Sequence, residues 1–251
     1  MTLMSQIAHD MLLNDNFSAT DFAGSLMTMN GMKLLQHVAE TGGIELTKSG
    51  FFNRKCVVWA SEEFQWPEYE PAQLCRLNKV LNERDFPPLN AMHDLMVLGQ
   101  MLRYRKGFAM LTPVGKAMLG SFGKLQALLF ETYFTIYNVG SDERLPKYIE
   151  HDDFRHCFGV VANRLGEWVT LNDFAHWCLP IALIPSSTGR HEFEACLHMG
   201  ANLVRPLCWL GLMEEEDPAR QTPLEERRIR KTVLFDKFLY FRGHKSQIVY
   251  H

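Results

Sequence analysis

Two stretches of the chain carry one seven-residue pattern, Leu95-x-x-Leu98-Gly99-x-Met101 and Leu207-x-x-Leu210-Gly211-x-Met213. A recurrence of this kind constrains the fold more than any local signal, because it sets the size and order of the structural unit. Each copy closes an apolar run of helical period, and each Gly stands where a helix end calls for a residue that tolerates positive φ. Upstream, each has a shorter helical pattern ending near a Gly, Met32 to Gly43 in the first and Phe158 to Gly166 in the second. A short β-type segment and a Thr then open another helix. These are Ile44-Glu45-Leu46-Thr47 and Trp168-Val169-Thr170, the latter with Asp173 completing a capping box. The order helix, short strand, helix, helix, Gly, strand is thus read twice, and 251 residues are enough for two such units.

The residues after Gly99 sharpen the reading. Met101-Leu102-Arg103-Tyr104-Arg105-Lys106 alternates as a half-exposed strand does, Gly107 turns, and Phe108-Ala109-Met110-Leu111 returns. Thr112-Pro113 supplies an N-cap and a first-turn Pro for a helix over Val114 to Leu119. From Leu46-Thr47-Lys48-Ser49-Gly50, through Pro87-Pro88-Leu89, to Leu111-Thr112-Pro113-x-Gly115-Lys116-x-x-Leu119, the chain resembles winged-helix segments of uncharacterised bacterial proteins associated with plasmids and mobile elements. The resemblance covers roughly residues 40 to 125. It implies a winged-helix fold and no single function, because that superfamily holds DNA-binding regulators and protein-binding modules alike.

The expected architecture is mainly α with small β-hairpin wings, a tandem winged-helix repeat with a connecting helix. Its parts are an N-terminal helix and arm (1–25), a first winged-helix unit (26–122), a packed connecting helix and loop (123–150), a second, winged-helix-like unit (151–242) and a tail (243–251). The second wing has two readings. Either Thr222-Pro223-Leu224-Glu225 starts a helix, or Arg227 to Val233 is a returning strand and Thr232 plays the part of Thr112.

With 47% apolar and 22% charged residues the chain has the composition of a soluble globular protein. A net charge of −3 excludes a strongly basic nucleic-acid coat and a polyanion mimic, so any charged function depends on local clustering. No apolar run approaches the roughly 18 residues of a membrane span, and the N-terminal stretch lacks the basic start of a secretory signal. Cys56, Cys75, Cys157, Cys178, Cys196 and Cys208 stand singly with no C-x-x-C pair, which predicts buried thiols in a reducing cytoplasm.

From Leu95 to Phe130 there are five basic residues, Arg103, Arg105, Lys106, Lys116 and Lys124, and no acidic one. On a wing and the helix behind it such a cluster suits a phosphate backbone. Base reading is less well served. The presumed recognition helix, Pro88 to Leu98, offers only Asn90, His93 and Asp94, and its counterpart offers His191, Glu192, Glu194, His198, Asn202 and Arg205, with two glutamates that repel phosphate. Three His-Asp dipeptides, His9-Asp10, His93-Asp94 and His151-Asp152, are the best metal candidates, the densest group being His151, Asp152, Asp153, His156 and Cys157. The simpler reading has Asp152 or Asp153 capping a helix. No phosphate-cradling loop, dinucleotide fingerprint, nucleophile elbow or H-E-x-x-H is present, and no cofactor is expected. Phe51, Phe52, Trp59, Phe64, Trp66 and Tyr69, with Trp168, Phe174 and Trp177 in the matching region, could leave an aromatic patch for a partner protein or a second copy. The expected function is non-enzymatic duplex nucleic-acid binding or regulation. Rival readings are a protein-interaction adaptor and, less favoured, a metal-dependent hydrolase.

Overall fold

The computed structural model describes residues 11–137, 151–181, 190–216 and 221–241. Helices predominate, joined by small antiparallel sheets. The chain divides into two compact units: Asn16–Val139 with Trp209–Gly211, and Met1–Asp15 with Gly140–Cys208 and Leu212–His251. Its first described element is a strand, β1 (Met11–Leu13), which belongs to the second of these units.

The first unit opens with a 3-10 turn (Ala19–Phe22) and the long helix α1 (Leu26–Thr41). Ser25 caps α1, its Oγ accepting from the Thr28 amide, and Gly42 ends it at φ 73°. Then come β2 (Ile44–Glu45), α2 (Arg54–Glu63), capped by Asn53, α3 (Pro71–Leu77) and α4 (Pro87–Leu98). A hairpin comes next, β3 (Leu102–Arg105) and β4 (Phe108–Leu111), with β2 added to β4 in the order β2-β4-β3. Thr112 caps α5 (Pro113–Met118) by accepting from the Gly115 amide at 3.1 Å, as the Thr-Pro start predicts.

The helix expected as a connector, α6 (Phe122–Thr135), packs instead against α1, α4 and α5 as part of this core. Leu125, Leu129, Phe130 and Phe134 are buried, and that much apolar surface needs a core to cover it. Its inward Gln126 accepts from the Ser25 and Thr28 hydroxyls and donates to the Leu210 carbonyl at 2.8 Å, so the buried amide is satisfied.

In the second unit β1, in the described part of the stretch expected to open as a helix, pairs antiparallel with β8 (Leu239–Phe241), Met11 opposite Phe241. An apolar triplet is too short to hold a helix by itself, and the distant strand supplies the hydrogen bonds it lacks. Residues 1–10 and the expected tail lie outside the described residues. The helix α7 (His151–Arg164) contains Asp152 and Asp153 within its first turn, so they are not its cap. Thr170, which ends β5 (Val169–Thr170), caps α8 (Leu171–Cys178) by accepting from the Asp173 amide at 3.1 Å. Helix α9 (His191–Met199) runs through one π-helical turn, Gly200–Val204, into α10 (Arg205–Trp209). Pro206 accounts for the wide turn: it has no N–H for an ordinary helical bond, and the Arg205 amide reaches back to the Gly200 carbonyl instead.

Of the two readings of the second wing, the strand is the observed one. β6 (Met213–Glu215) pairs with β7 (Arg228–Lys231), and Thr232 caps α11 (Val233–Phe238). The Thr222-Pro223 start yields only a 3-10 turn, Leu224–Glu226. The sheet order is β5-β7-β6, so in each unit a two-residue strand pairs with the later of two antiparallel strands.

The glycines of the recurring pattern differ. Gly211 is left-handed at φ 70°, and a Cβ there would lie 2.9 Å from the backbone of Gly24. Gly99 is not left-handed, with φ −75°, and the positive φ falls on Gln100 at 57°. Gly99 is required for closeness, because a Cβ would stand 2.9 Å from Thr132 Oγ1 and 3.0 Å from the Leu95 carbonyl.

Candidate functional site

Arg105 and Phe108 face each other across a two-residue turn whose Lys106 and Gly107 have φ of 51° and 80°. Positive φ at both central positions is the type I′ geometry that matches strand twist. Arg103 pairs with Met110 and Arg105 with Phe108, so these four share one face of the hairpin. Leu102, Tyr104, Ala109 and Leu111 form the other face, with Leu102 and Ala109 buried. The two arginines therefore lie on one face, as the alternation predicts. Arg103, Arg105 and Lys106 are exposed on the hairpin, Lys116 is exposed in α5, and Lys124 is exposed in the first turn of α6. None of the five makes an ion pair among the described residues.

The second hairpin is built differently. Arg228 binds Glu216 at 3.1 Å, Arg230 binds Glu214 at 2.6 Å, and Lys231 binds Asp236 at 2.6 Å. The Arg230 guanidinium also sits over Trp168, 4.4 Å from the ring centre.

Behind the first hairpin lies a relay that no sequence motif announces. The Tyr104 hydroxyl is 3.0 Å from His93 Nε2, and His93 Nδ1 is 2.8 Å from Glu83 Oε1. Glu83 and His93 are buried, at 1% and 2% exposure. The other Glu83 oxygen accepts from the Phe52 amide, and the Phe52 ring stacks on His93 with centroids 3.7 Å apart. With Glu83 ionised, His93 donates from Nδ1 and accepts the Tyr104 proton at Nε2. Burial, reinforced by the charges of Glu83 and Asp94, raises the Tyr104 pKa, so the phenol keeps the proton it donates. Burial likewise raises Asp94; His93 opposes that shift and Glu83 adds to it. Burial and Glu83 push the Cys56 thiol up to about 12, leaving it inert. Strand alternation turns Tyr104 toward α4, but nothing in the Asn82-to-Asp85 stretch marks Glu83 for burial.

The other sequence candidates are scattered. Within α4, His93 is buried in the relay and Asn90 and Asp94 are half-buried, because the 3-10 turn Glu83–Asp85, α6 and β3 cover the helix. Its outward edge, Pro87, Asn90, Asp94, Val97 and Leu98, offers base reading only the half-buried Asn90 and Asp94. In the matching helix His198 and Asn202 are buried and bond each other at 2.9 Å, while His191 and Glu194 are half-buried and Glu192 and Arg205 are exposed. The aromatic clusters do not form an exposed patch. Phe52, Phe64, Trp66 and Phe174 are buried, and Phe51, Trp59, Tyr69, Trp168 and Trp177 are half-covered, Trp59 by stacking on His37. Among the described residues no cysteine forms a disulfide; Cys56, Cys157, Cys178 and Cys196 are buried, Cys208 is partly covered, and Cys75, against expectation, is exposed. Among the described residues no three His, Cys, Asp or Glu side chains gather to hold a metal. His9-Asp10 and the side chains of His151, Asp152 and Asp153 lie outside the described residues. No described helix is long and apolar enough to cross a membrane.

Residues 23–124 match the family model of the Y4jL N-terminal domain. Over 100 residues the chain is 41% identical to a Sinorhizobium fredii protein named Uncharacterized protein y4jL, a match covering 39% of this chain and 46% of that one. The chain thus matches just under half the length of this curated relative. No solved structure matches. Glu83, His93, Tyr104 and the five basic residues all fall inside the segment similar to the Y4jL N-terminal domain.

Proposed function

We propose that the protein is a tandem winged-helix protein that acts by binding nucleic acid, in a regulatory rather than catalytic role, and holds the phosphate backbone with the hairpin of its first unit. The observation that carries this reading is the charge pattern: Arg103, Arg105, Lys106, Lys116 and Lys124 are exposed without an ion-pair partner among the described residues, whereas Arg228, Arg230 and Lys231 are paired. An unpaired surface cation can neutralise a phosphate outright, whereas a paired one must first give up its carboxylate. The element order of each unit, with the same strand order in both sheets, supports the winged-helix part of the reading. The covered α4 favours backbone holding with little base preference over sequence-specific readout.

The test is a mobility-shift titration of the full chain on a random duplex. Binding is expected at about 50 mM salt and should weaken steeply as salt rises. No detectable binding at that salt overturns the duplex form of the reading. Arg103→Glu with Arg105→Glu is expected to abolish the shift, and unchanged affinity would remove the hairpin from the site.

A further inference from the structure

We infer that the outward face of the first hairpin is a stacking platform for unpaired bases, so that its preferred ligand is single-stranded nucleic acid; this rests on the nucleic-acid reading above and narrows it. Arg105 stands directly opposite Phe108, and Arg103 opposite Met110. Side chains so paired lie about 5 Å apart at Cβ. Phe108 is 42% exposed, so a partly exposed aromatic ring sits beside two guanidiniums that have no carboxylate partner among the described residues. The nearest acid across the sheet is Glu45, which pairs with Phe108 from β2, and its carboxylate accepts from the Asn53 amide group at 3.1 Å.

The fold does not demand an aromatic there. In the second sheet the corresponding first residue of the central strand, paired with Thr170 as Phe108 is with Glu45, is Arg228, and it is tied to Glu216. The first hairpin thus partly exposes a ring and, among the described residues, leaves its cations unpaired where the second pairs its own. A duplex offers such a face only phosphates, because its bases are stacked inside and α4 presents only the half-buried Asn90 and Asp94 to reach them through a groove. A single strand offers both parts at once: bases with open π-faces for Phe108 and flanking phosphates for Arg103 and Arg105.

The experiment uses the full chain, an oligothymidine of about 20 nucleotides and the dT·dA duplex of the same length, compared by fluorescence anisotropy at one salt concentration. Oligothymidine is expected to bind more tightly than the duplex. Phe108→Ile, which keeps a β-branched apolar side chain but no ring, should weaken oligothymidine binding about tenfold and change duplex binding less than about twofold. Phe108→Tyr should restore it. With the unaltered protein, photocrosslinking to iodouracil-substituted oligonucleotide should mark Phe108, which makes the test independent of whether the variants fold. The inference is overturned if the duplex binds as well as the single strand, if Phe108→Ile is silent, if the crosslink maps elsewhere, or if polyphosphate of equal charge competes as well as the oligonucleotide. Salt-dependent duplex binding together with a silent Phe108 would sink this inference alone; no binding to either probe would sink the parent reading as well.

Discussion

Glu83 is a carboxylate at 1% exposure, and an ionised carboxylate survives there only because hydrogen bonds replace its water. The Phe52 amide and His93 supply them, and Tyr104 completes the chain from core to hairpin. Removing His93 leaves the buried Glu83 with the Phe52 amide as its one remaining relay partner. His93→Ala is therefore expected to cost about 3–5 kcal/mol, measured by urea unfolding. A loss under about 1 kcal/mol would mean that the Glu83–His93 contact contributes no more than an ordinary hydrogen bond. Asp94, one residue on, gives a pH signature. Burial raises its pKa above the ordinary 3.8, so the folded chain holds the proton more tightly than the unfolded chain does. Its favourable contribution is complete below pH 3.8 and is lost as pH rises through the raised folded value. Asp94→Asn is expected to raise the melting temperature at pH 7, with the difference closing as pH falls below that range. A gain that persists unchanged at acid pH would rule out the buried charge as its cause.

At the scale of elements, space around the backbone decides which glycines matter. A Cβ on Gly115 would lie 2.2 Å from the Met101 carbonyl, where α5 folds back on the hairpin. Gly115→Ala is expected to destabilise by at least about 2 kcal/mol. On Gly159, inside α7, a Cβ meets nothing within 4 Å, and Gly159→Ala is expected to add about 0.5–1 kcal/mol. Thermal melts of the two variants check both signs. The contrast also marks what could be read from the chain. Two-residue alternation places Arg103 and Arg105 on one face, and Thr-Pro places the start of α5, because these are local rules. The β1–β8 pairing joins residues from the two ends of the chain, and nothing in Met11-Leu12-Leu13 names its partner. The recurring pattern assigns Gly99 a positive φ that Gln100 carries, since what Gly99 avoids is a side chain on another helix, Thr132. The burial of α4 is hidden for the same reason: its cover includes a 3-10 turn and β3, whose approach to the helix is tertiary.

Over the whole molecule a net charge of −3 is distributed unequally between two sheets of the same strand order. In the first hairpin the cations are free among the described residues, and in the second Glu214 and Glu216 hold Arg230 and Arg228. If free cations rather than fold make the first hairpin a phosphate site, releasing the arginines of the second should create one. The arithmetic can be checked, because each phosphate neutralised on duplex DNA contributes about 0.9 to the slope of log affinity against log salt. The background for the test is Arg103→Glu with Arg105→Glu, in which the first site is silenced. Adding Glu214→Gln and Glu216→Gln keeps hydrogen-bonding side chains beside the arginines but removes their charge, and salt-dependent duplex binding is expected to return with a slope of up to about 1.8, one increment per arginine. Arg228→Glu with Arg230→Glu in the otherwise unaltered protein should leave duplex affinity and slope unchanged. If the glutamine pair restores nothing while the first hairpin binds normally, freeing two cations is not sufficient, and the first site must depend also on the further exposed cations Lys106, Lys116 and Lys124.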